Sequence, residues 1–190
     1  HYISGKEFED GLIIHRFRVD QRKVKAFDEV NQMLLTFPKE KLVFGCSPLA
    51  PKFENVFLEE NINSNSLLQY LRGKKTKYHA FIFIPYLYGP TLKGLPLVQE
   101  KAILQPCLHN EAYAYLSVTE AIFRQAKYIL FNTEEEMNLA RLMYGPGIMP
   151  RSLTIGTGVQ IPEMPSKDHS SLSKIPISPY LLYLGMRSPQ

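Results

Sequence analysis

Apolar and polar residues alternate in blocks along the second half of the chain, and these blocks predict strands and helices in turn. Four short apolar runs, rich in β-branched and aromatic residues, are typical of buried strands; they span residues 78–84, 102–108, 127–131 and 151–155. The first of these runs is so apolar that it predicts a central strand buried on both faces. Helical spacing of apolar residues fills the segments between the runs, near 92–100 and after Ser117 and Thr133, where Glu120 and Glu136 complete capping-box patterns. The alternation predicts an α/β fold: a Rossmann-like parallel sheet with helices on both faces.

The first 75 residues carry weaker patterns. Residues 12–19 predict a strand nearer the edge of a sheet, and residues 22–35 predict a helix that Pro38 limits. A short helix is expected at 55–61, and a firmer one begins at Ser64 or Ser66 and ends at Gly73 as its C-cap.

The composition changes after residue 160. Residues 162–179 hold four prolines and five serines, which is typical of a linker, and a strand-like run follows at 180–184. The pattern predicts a domain at 1–160, an interdomain linker at 161–179 and the start of a second, truncated domain at 180–190. The chain does not begin with Met, and we expect a fragment of a longer protein.

The overall composition indicates a soluble globular protein, with 45% hydrophobic and 21% charged residues. A net charge of +4 permits an anionic ligand or peripheral contact with an anionic membrane, although a merely soluble surface explains it as well. Nucleic acid is not an expected partner, because the nearest basic cluster, at 72–77, fits a solvated turn. Cys46 and Cys107 lie in or beside apolar runs, which predicts buried, reduced thiols in a cytosolic protein.

Several catalytic motifs are missing from the sequence. It contains no G-x-G-x-x-G, no P-loop and no G-x-S-x-G. Its four aspartates never form D-x-D, and its five histidines lack the spacing of metal ligands. We therefore predict no metal site and no cofactor.

The candidate chemistry centres on His109, which follows the apolar run 102–108. Ligands of α/β proteins bind at the carboxyl ends of the strands, where His109 is expected to lie and where an imidazole can donate a hydrogen bond or move a proton. A structural histidine is the alternative. The neighbouring candidates for substrate contact are Tyr86, Tyr88, Asn110, Glu111 and Tyr113. The alternative for the tyrosines is packing against the protein, and the alternative for Glu111 is a charge at a helix terminus. Arg187 follows a strand-like run and a glycine, the setting of an anion site, or is a surface residue.

The order of these features resembles the amino-terminal domain of retaining, nucleotide-sugar-dependent glycosyltransferases of the two-Rossmann (GT-B, "group 1") type. The likeness extends over most of the chain from Leu12 and rests on six segments: Phe81-Ile-Phe-Ile-Pro-Tyr-Leu-Tyr-Gly-Pro-Thr91, Gly94-Leu-Pro96, Pro106-Cys-Leu-His-Asn-Glu-Ala-Tyr-Ala-Tyr-Leu116, Phe131-Asn-Thr-Glu-Glu-Glu136, Ile155-Gly-Thr-Gly-Val159 and Tyr183-Leu-Gly-Met-Arg187.

The resemblance implies a cytoplasmic hexosyltransferase of glycan biosynthesis, membrane-peripheral where its acceptor is lipid-linked. Such an enzyme moves a sugar from a nucleoside-diphosphate sugar to an acceptor hydroxyl with retention and without a metal. The acceptor is a glycan, a lipid-linked or a small molecule. His109 would contact the donor sugar, Arg187 would hold the donor diphosphate, and Tyr86, Tyr88, Asn110, Glu111 and Tyr113 would contact the acceptor.

The sequence departs from this family in two respects. The family's first strand and glycine-rich loop are missing, and its paired-glutamate donor motif is not present in these residues, so the fragment by itself is expected to be inactive. Two other hypotheses stay open: a non-catalytic sugar- or nucleotide-binding or scaffold module of the same fold, and another two-domain α/β enzyme such as a sugar epimerase.

Overall fold

The apolar runs of the second half form a four-stranded parallel sheet in the computed structural model, which describes residues 4–156 and 158. The strands are β1 (Gly5–Glu9), β2 (Leu12–Arg16), β3 (Phe81–Phe83), β4 (Ala102–Leu104), β5 (Tyr128–Phe131) and β6 (Ser152–Thr154). The α-helices are α1 (Val24–Leu35), α2 (Pro51–Glu59), α3 (Asn65–Lys74), α4 (Gly89–Gly94), α5 (Ser117–Gln125) and α6 (Glu134–Tyr144). Short 3-10 helices cover Lys39–Lys41, Leu95–Lys101, Ala112–Tyr115 and Pro146–Arg151.

The main sheet has the strand order β3-β4-β5-β6, and each neighbouring pair is parallel. Phe81 pairs with Ala102, and Phe131 pairs with Thr154. The expected α/β fold with a parallel sheet is therefore confirmed. Because the strands run in the same direction, the loops that follow β3, β4 and β5 emerge at one edge of the sheet.

The two faces of this sheet differ in burial. Leu104, Ile129 and Phe131 point into the core and are fully buried, whereas Ile82 and Leu153, on the other face, are 62% and 61% exposed. The prediction of helices on both faces is wrong for the described residues, because the helices pack against one face only. Among the described residues, the run 78–84 is likewise not a central strand, since β3 is the first strand of the sheet order and its one partner there is β4.

The segment 12–19 does not join the main sheet. It contributes β2, which ends at Arg16 and pairs antiparallel with β1 in a separate two-stranded hairpin. Gly11 turns the chain between the two strands at a φ of 78°, in the left-handed region that glycine adopts without steric cost.

The ends of two helices differ from the sequence predictions. Ser64 caps α3 by accepting a hydrogen bond from Leu67 N, as expected, but Gly73 lies within the helix and is not its C-cap. Ser117 is the first residue of α5 and does not cap it. The Glu54 carboxylate, contributed by α2, accepts from Val118 N at 2.8 Å instead. A neighbouring helix thus provides the cap that the local pattern assigned to a serine.

Other expectations require smaller corrections. The run 102–108 is a strand only to Leu104, and the helix expected at 55–61 is α2, which Pro51 opens. Cys46 is exposed and Cys107 is partly buried, so the expectation of two buried thiols is wrong for Cys46.

No helix in the described part of the chain has the length and apolar character that a membrane span requires. The linker at 161–179 and the segment 180–190 lie outside the described residues.

Candidate functional site

The loops after β3 and β4 lie side by side at the carboxyl edge of the sheet. Gln105 N donates to Phe83 O at 2.9 Å, and Tyr86 N donates to Pro106 O at 3.1 Å. Strand-like hydrogen bonding therefore continues past the end of β4 as far as Pro106. We call residues 105–111 the His109 loop. The backbone of the β3 loop holds one side of this loop.

Glu136, in the first turn of α6, holds the other side. Its carboxylate accepts from Leu108 N at 2.6 Å and from Asn132 N at 2.7 Å, and the residue is only 8% exposed. Thr133 Oγ1 accepts from Glu136 N at 3.1 Å, which confirms the helix cap predicted at this position. Gln105 Nε2 donates to Asn132 Oδ1 at 2.9 Å. One buried carboxylate thus joins the loops that follow two adjacent strands.

His109 and Asn110 lie at the exposed tip of this loop. The chain turns toward the tip at Cys107, whose φ of 55° is unusual for a residue other than glycine. Tyr115 donates its hydroxyl hydrogen bond to Asn110 Oδ1 at 2.8 Å, which holds the tip in place.

Two depressions flank His109. One, of about 360 Å³, extends toward the start of α6 and includes Asn132 and Thr133 in its lining. The other, of about 300 Å³, extends toward the end of α1 and includes Glu111 and Tyr113. The exposed imidazole is therefore accessible from both sides.

Glu111 accepts a hydrogen bond from the Tyr86 hydroxyl at 2.8 Å. Tyr86 is fully buried, and this burial, followed by the charge of Glu111, raises the pKa of the Tyr86 hydroxyl far above its usual value. The structure therefore places Tyr86 where it orients Glu111, not on a surface that a substrate would contact.

Tyr88 and Tyr113 contribute to a different cavity, which we call the aromatic pocket. It has a volume of about 250 Å³ and is lined by Arg22, Phe27, Asn31, Phe57, Asn61, Ile62, Leu87, Tyr88 and Tyr113. Tyr113 donates to Asn31 Oδ1 at 2.6 Å. Burial, followed by the charge of Glu111, raises the pKa of the Tyr113 hydroxyl to about 12. Apart from the buried Tyr86, the predicted substrate residues thus divide between the His109 loop and this pocket.

Sequence reasoning missed most of what holds and shapes these cavities. The sequence predicts Glu136 only as part of a helix cap, and Phe27 only as one residue of the helix expected at 22–35. Asn31 carries no signal that separates it from any other polar residue of α1. Its position became informative only when the fold brought α1 next to the loop that follows β4.

Arg187 lies outside the described residues. Between residues 4 and 156, no group of three histidine, cysteine, aspartate or glutamate side chains is arranged to hold a metal ion.

Comparisons with known proteins add no assignment. No protein-family model, no curated protein and no solved structure matches this chain.

The raised pKa of Tyr86 predicts alkaline destabilisation. Above pH 10 the unfolded chain loses tyrosine protons that folded Tyr86 retains, so the unfolded state binds fewer protons and stability falls as the pH rises. Between pH 10 and pH 11, the free energy of unfolding should therefore fall less steeply in the Tyr86→Phe variant than in the wild type. Urea unfolding at each pH measures this. Tyr128→Phe, at an exposed position on β5, is the matched control. If the free energy of unfolding fell equally little in both variants, the pH dependence could not be assigned to Tyr86.

Proposed function

We propose that this chain is the acceptor-side domain of a retaining glycosyltransferase that moves a sugar from a nucleoside-diphosphate sugar to an acceptor hydroxyl without a metal. The observation that carries the proposal is the exposed His109 on a loop fixed from both sides at the carboxyl edge of a parallel sheet. Ligands bind at this edge in α/β proteins. Three of the segments that carry the resemblance to such transferases contribute β3, most of the His109 loop and the start of α6, whereas the segment 183–187 lies outside the described residues.

The chemistry requires stabilisation of a departing diphosphate and of an oxocarbenium-like sugar. Hydrogen-bond donors that are already in place do this best, because they need not reorganise as charge develops. The hydrogen bond that Leu108 N donates to the Glu136 carboxylate fixes the backbone next to His109. In this proposal His109 donates a hydrogen bond to the donor sugar, and Arg187 binds the diphosphate.

A non-catalytic sugar-binding module is the second candidate. The aromatic pocket favours this candidate. His109 does not line the pocket, and its aromatic and amide side chains can bind a ligand without catalysing a reaction. The two candidates differ in whether a nucleotide-sugar donor is bound and turned over.

A titration of the complete protein with UDP, GDP and ADP and their sugar conjugates tests the transferase. We expect one nucleotide to bind, and His109→Ala to lower turnover about a hundredfold, the size of effect seen when one such donor is removed. Arg187→Ala should weaken nucleotide binding.

The matched control is His79→Ala, at an exposed histidine that lines none of the cavities described above. It should retain wild-type turnover. If no nucleotide binds, the transferase proposal is wrong and the binding module is favoured.

A further inference from the structure

We propose that the aromatic pocket binds one neutral pyranose ring, which is the sugar unit of the acceptor. The identification of this ring as the acceptor rests on the proposed transferase function. The ring-binding site itself rests on the geometry of the pocket.

The walls of the pocket are aromatic. Phe27 and Phe57 are stacked with ring centroids 5.6 Å apart and an interplanar angle of 23°, and Tyr113 lies 5.8 Å from Phe57 at 45°. Tyr88, 48% exposed, stands at the solvent side. Phe57 is only 2% exposed, and Phe27 has both Phe57 and the Arg22 guanidinium against its ring, so these two rings form the floor of the pocket. The apolar C–H face of a pyranose would pack on the exposed Tyr88 ring, while its hydroxyls project from the edge and need polar partners.

The pocket provides these polar partners. Asn31 accepts from Tyr113, and the described residues offer no hydrogen-bond partner to the Asn31 amide N–H groups. The Tyr113 oxygen, having donated its proton to Asn31, can accept from a ligand hydroxyl. Asn31 and Tyr113 thus form a donor and acceptor pair of the kind that a sugar hydroxyl requires.

Two further polar residues shape the pocket. The Arg22 guanidinium donates to Glu60 O at 3.0 Å and lies 5.0 Å from the centre of the Phe27 ring, so it is fixed while other N–H groups remain for a ligand. Asn61 bonds to the backbone on both sides of the rim: its Nδ2 donates to Leu87 O, and its Oδ1 accepts from the N–H groups of Ile62 and Gly89. Asn61 therefore holds the rim and leaves recognition to the others.

Size and charge narrow the class of ligand. A volume of about 250 Å³ lies just under the usual range of about 300–1,000 Å³ for ligand sites, so it has room for one ring but not for a nucleotide or an oligosaccharide. Among the described residues, the lining holds one charged side chain, Arg22, whose guanidinium already donates to Glu60 O. The other polar side chains of the lining are uncharged and match the neutral hydroxyls of a sugar; they are Asn31, Asn61, Tyr88 and Tyr113.

The position of the pocket suits an acceptor. Tyr113 lines both the aromatic pocket and the depression that contains His109 and Glu111. A ring held against Tyr113 can direct one hydroxyl past this side chain toward the His109 loop, where the proposed reaction occurs.

The test is calorimetric or saturation-transfer NMR titration of the chain with the methyl pyranosides of glucose, galactose, mannose and N-acetylglucosamine, with methyl glucuronide and octanol as anionic and lipid-like comparisons. At least one neutral pyranoside should bind more tightly than either comparison. Asn31→Ala and Tyr113→Phe should each weaken it about tenfold or more.

The matched control is Asn138→Ala, an exposed asparagine on α6 that does not line the pocket, and it should bind like the wild type. Binding of no neutral pyranoside, or tighter binding of the glucuronide or octanol, would overturn the proposal. Equal binding of a pyranoside by Asn31→Ala, Tyr113→Phe and Asn138→Ala would also overturn it.

The nucleotide titration of the complete protein separates this proposal from the previous one. Nucleotide binding without pyranoside binding refutes the pocket assignment and leaves the transferase standing. Pyranoside binding without nucleotide binding refutes the transferase proposal. The pocket assignment then stands, and the chain is a sugar-binding module.

Discussion

The substitution Glu136→Ala is expected to lower the free energy of unfolding by roughly 3–6 kcal/mol. The Glu136 carboxylate accepts from Leu108 N and Asn132 N in a nearly fully buried position. Each hydrogen bond to a charged group contributes about 1.5–3 kcal/mol, and its loss leaves an amide without a partner. The effect should be measured by urea unfolding of the 190-residue chain.

Glu134→Ala is the matched control for the charge at the start of α6. Glu134 lies in the same first turn but is exposed, so its removal should cost only the ~0.3–1 kcal/mol of a helix-terminus charge. Glu136→Gln should recover part of the loss, because its amide oxygen can still accept. In native-state hydrogen exchange, Leu108 and Asn132 should lose protection in Glu136→Ala but keep it in Glu134→Ala. Similar losses of stability in the two alanine variants would show that Glu136 acts only through its charge.

The second large effect is expected from Gly89→Ala. Gly89 is the first residue of α4, and it is buried against the segment that follows α2. A Cβ at this position would lie less than 3.0 Å from Ile62 O and from the side chain of Asn63, including 2.8 Å from Asn63 Cγ. Because Ile62 O is a backbone atom, relieving the clash requires a movement of the main chain, which costs free energy. We expect a loss at or above the ~1–3 kcal/mol that is typical of overpacking.

Gly73→Ala is the matched control, since the same methyl group is added without a clash. Gly73 lies within α3, where a Cβ would meet nothing within 4 Å. Alanine should therefore stabilise the chain by up to about 1 kcal/mol, the difference in helix propensity. Urea unfolding of both variants measures the contrast. A Gly89→Ala variant as stable as the wild type would mean that α4 can shift away from Ile62.

The predictions from sequence succeeded where the cause is local. The strand and helix order from Phe81 to Thr154 follows from apolar periodicity, and Ser64 and Thr133 cap their helices because each hydroxyl reaches a backbone N–H three residues ahead. The predictions failed where a side chain from a distant element takes the place of a local one. Glu54 rather than Ser117 caps α5, because α2 brings a carboxylate to Val118 N across a separation of 64 residues.

The sequence by itself determined the parallel α/β architecture and placed His109 in the loop after one of its strands. These features follow from backbone periodicity and from the direction that parallel strands share. Only the tertiary structure decided that the helices cover a single face of the sheet, that Glu136 anchors the His109 loop and that Asn31 meets Tyr113. The last of these contacts joins residues 82 positions apart. Which polar groups meet at such a distance depends on how whole elements pack, and no local pattern of residues encodes it.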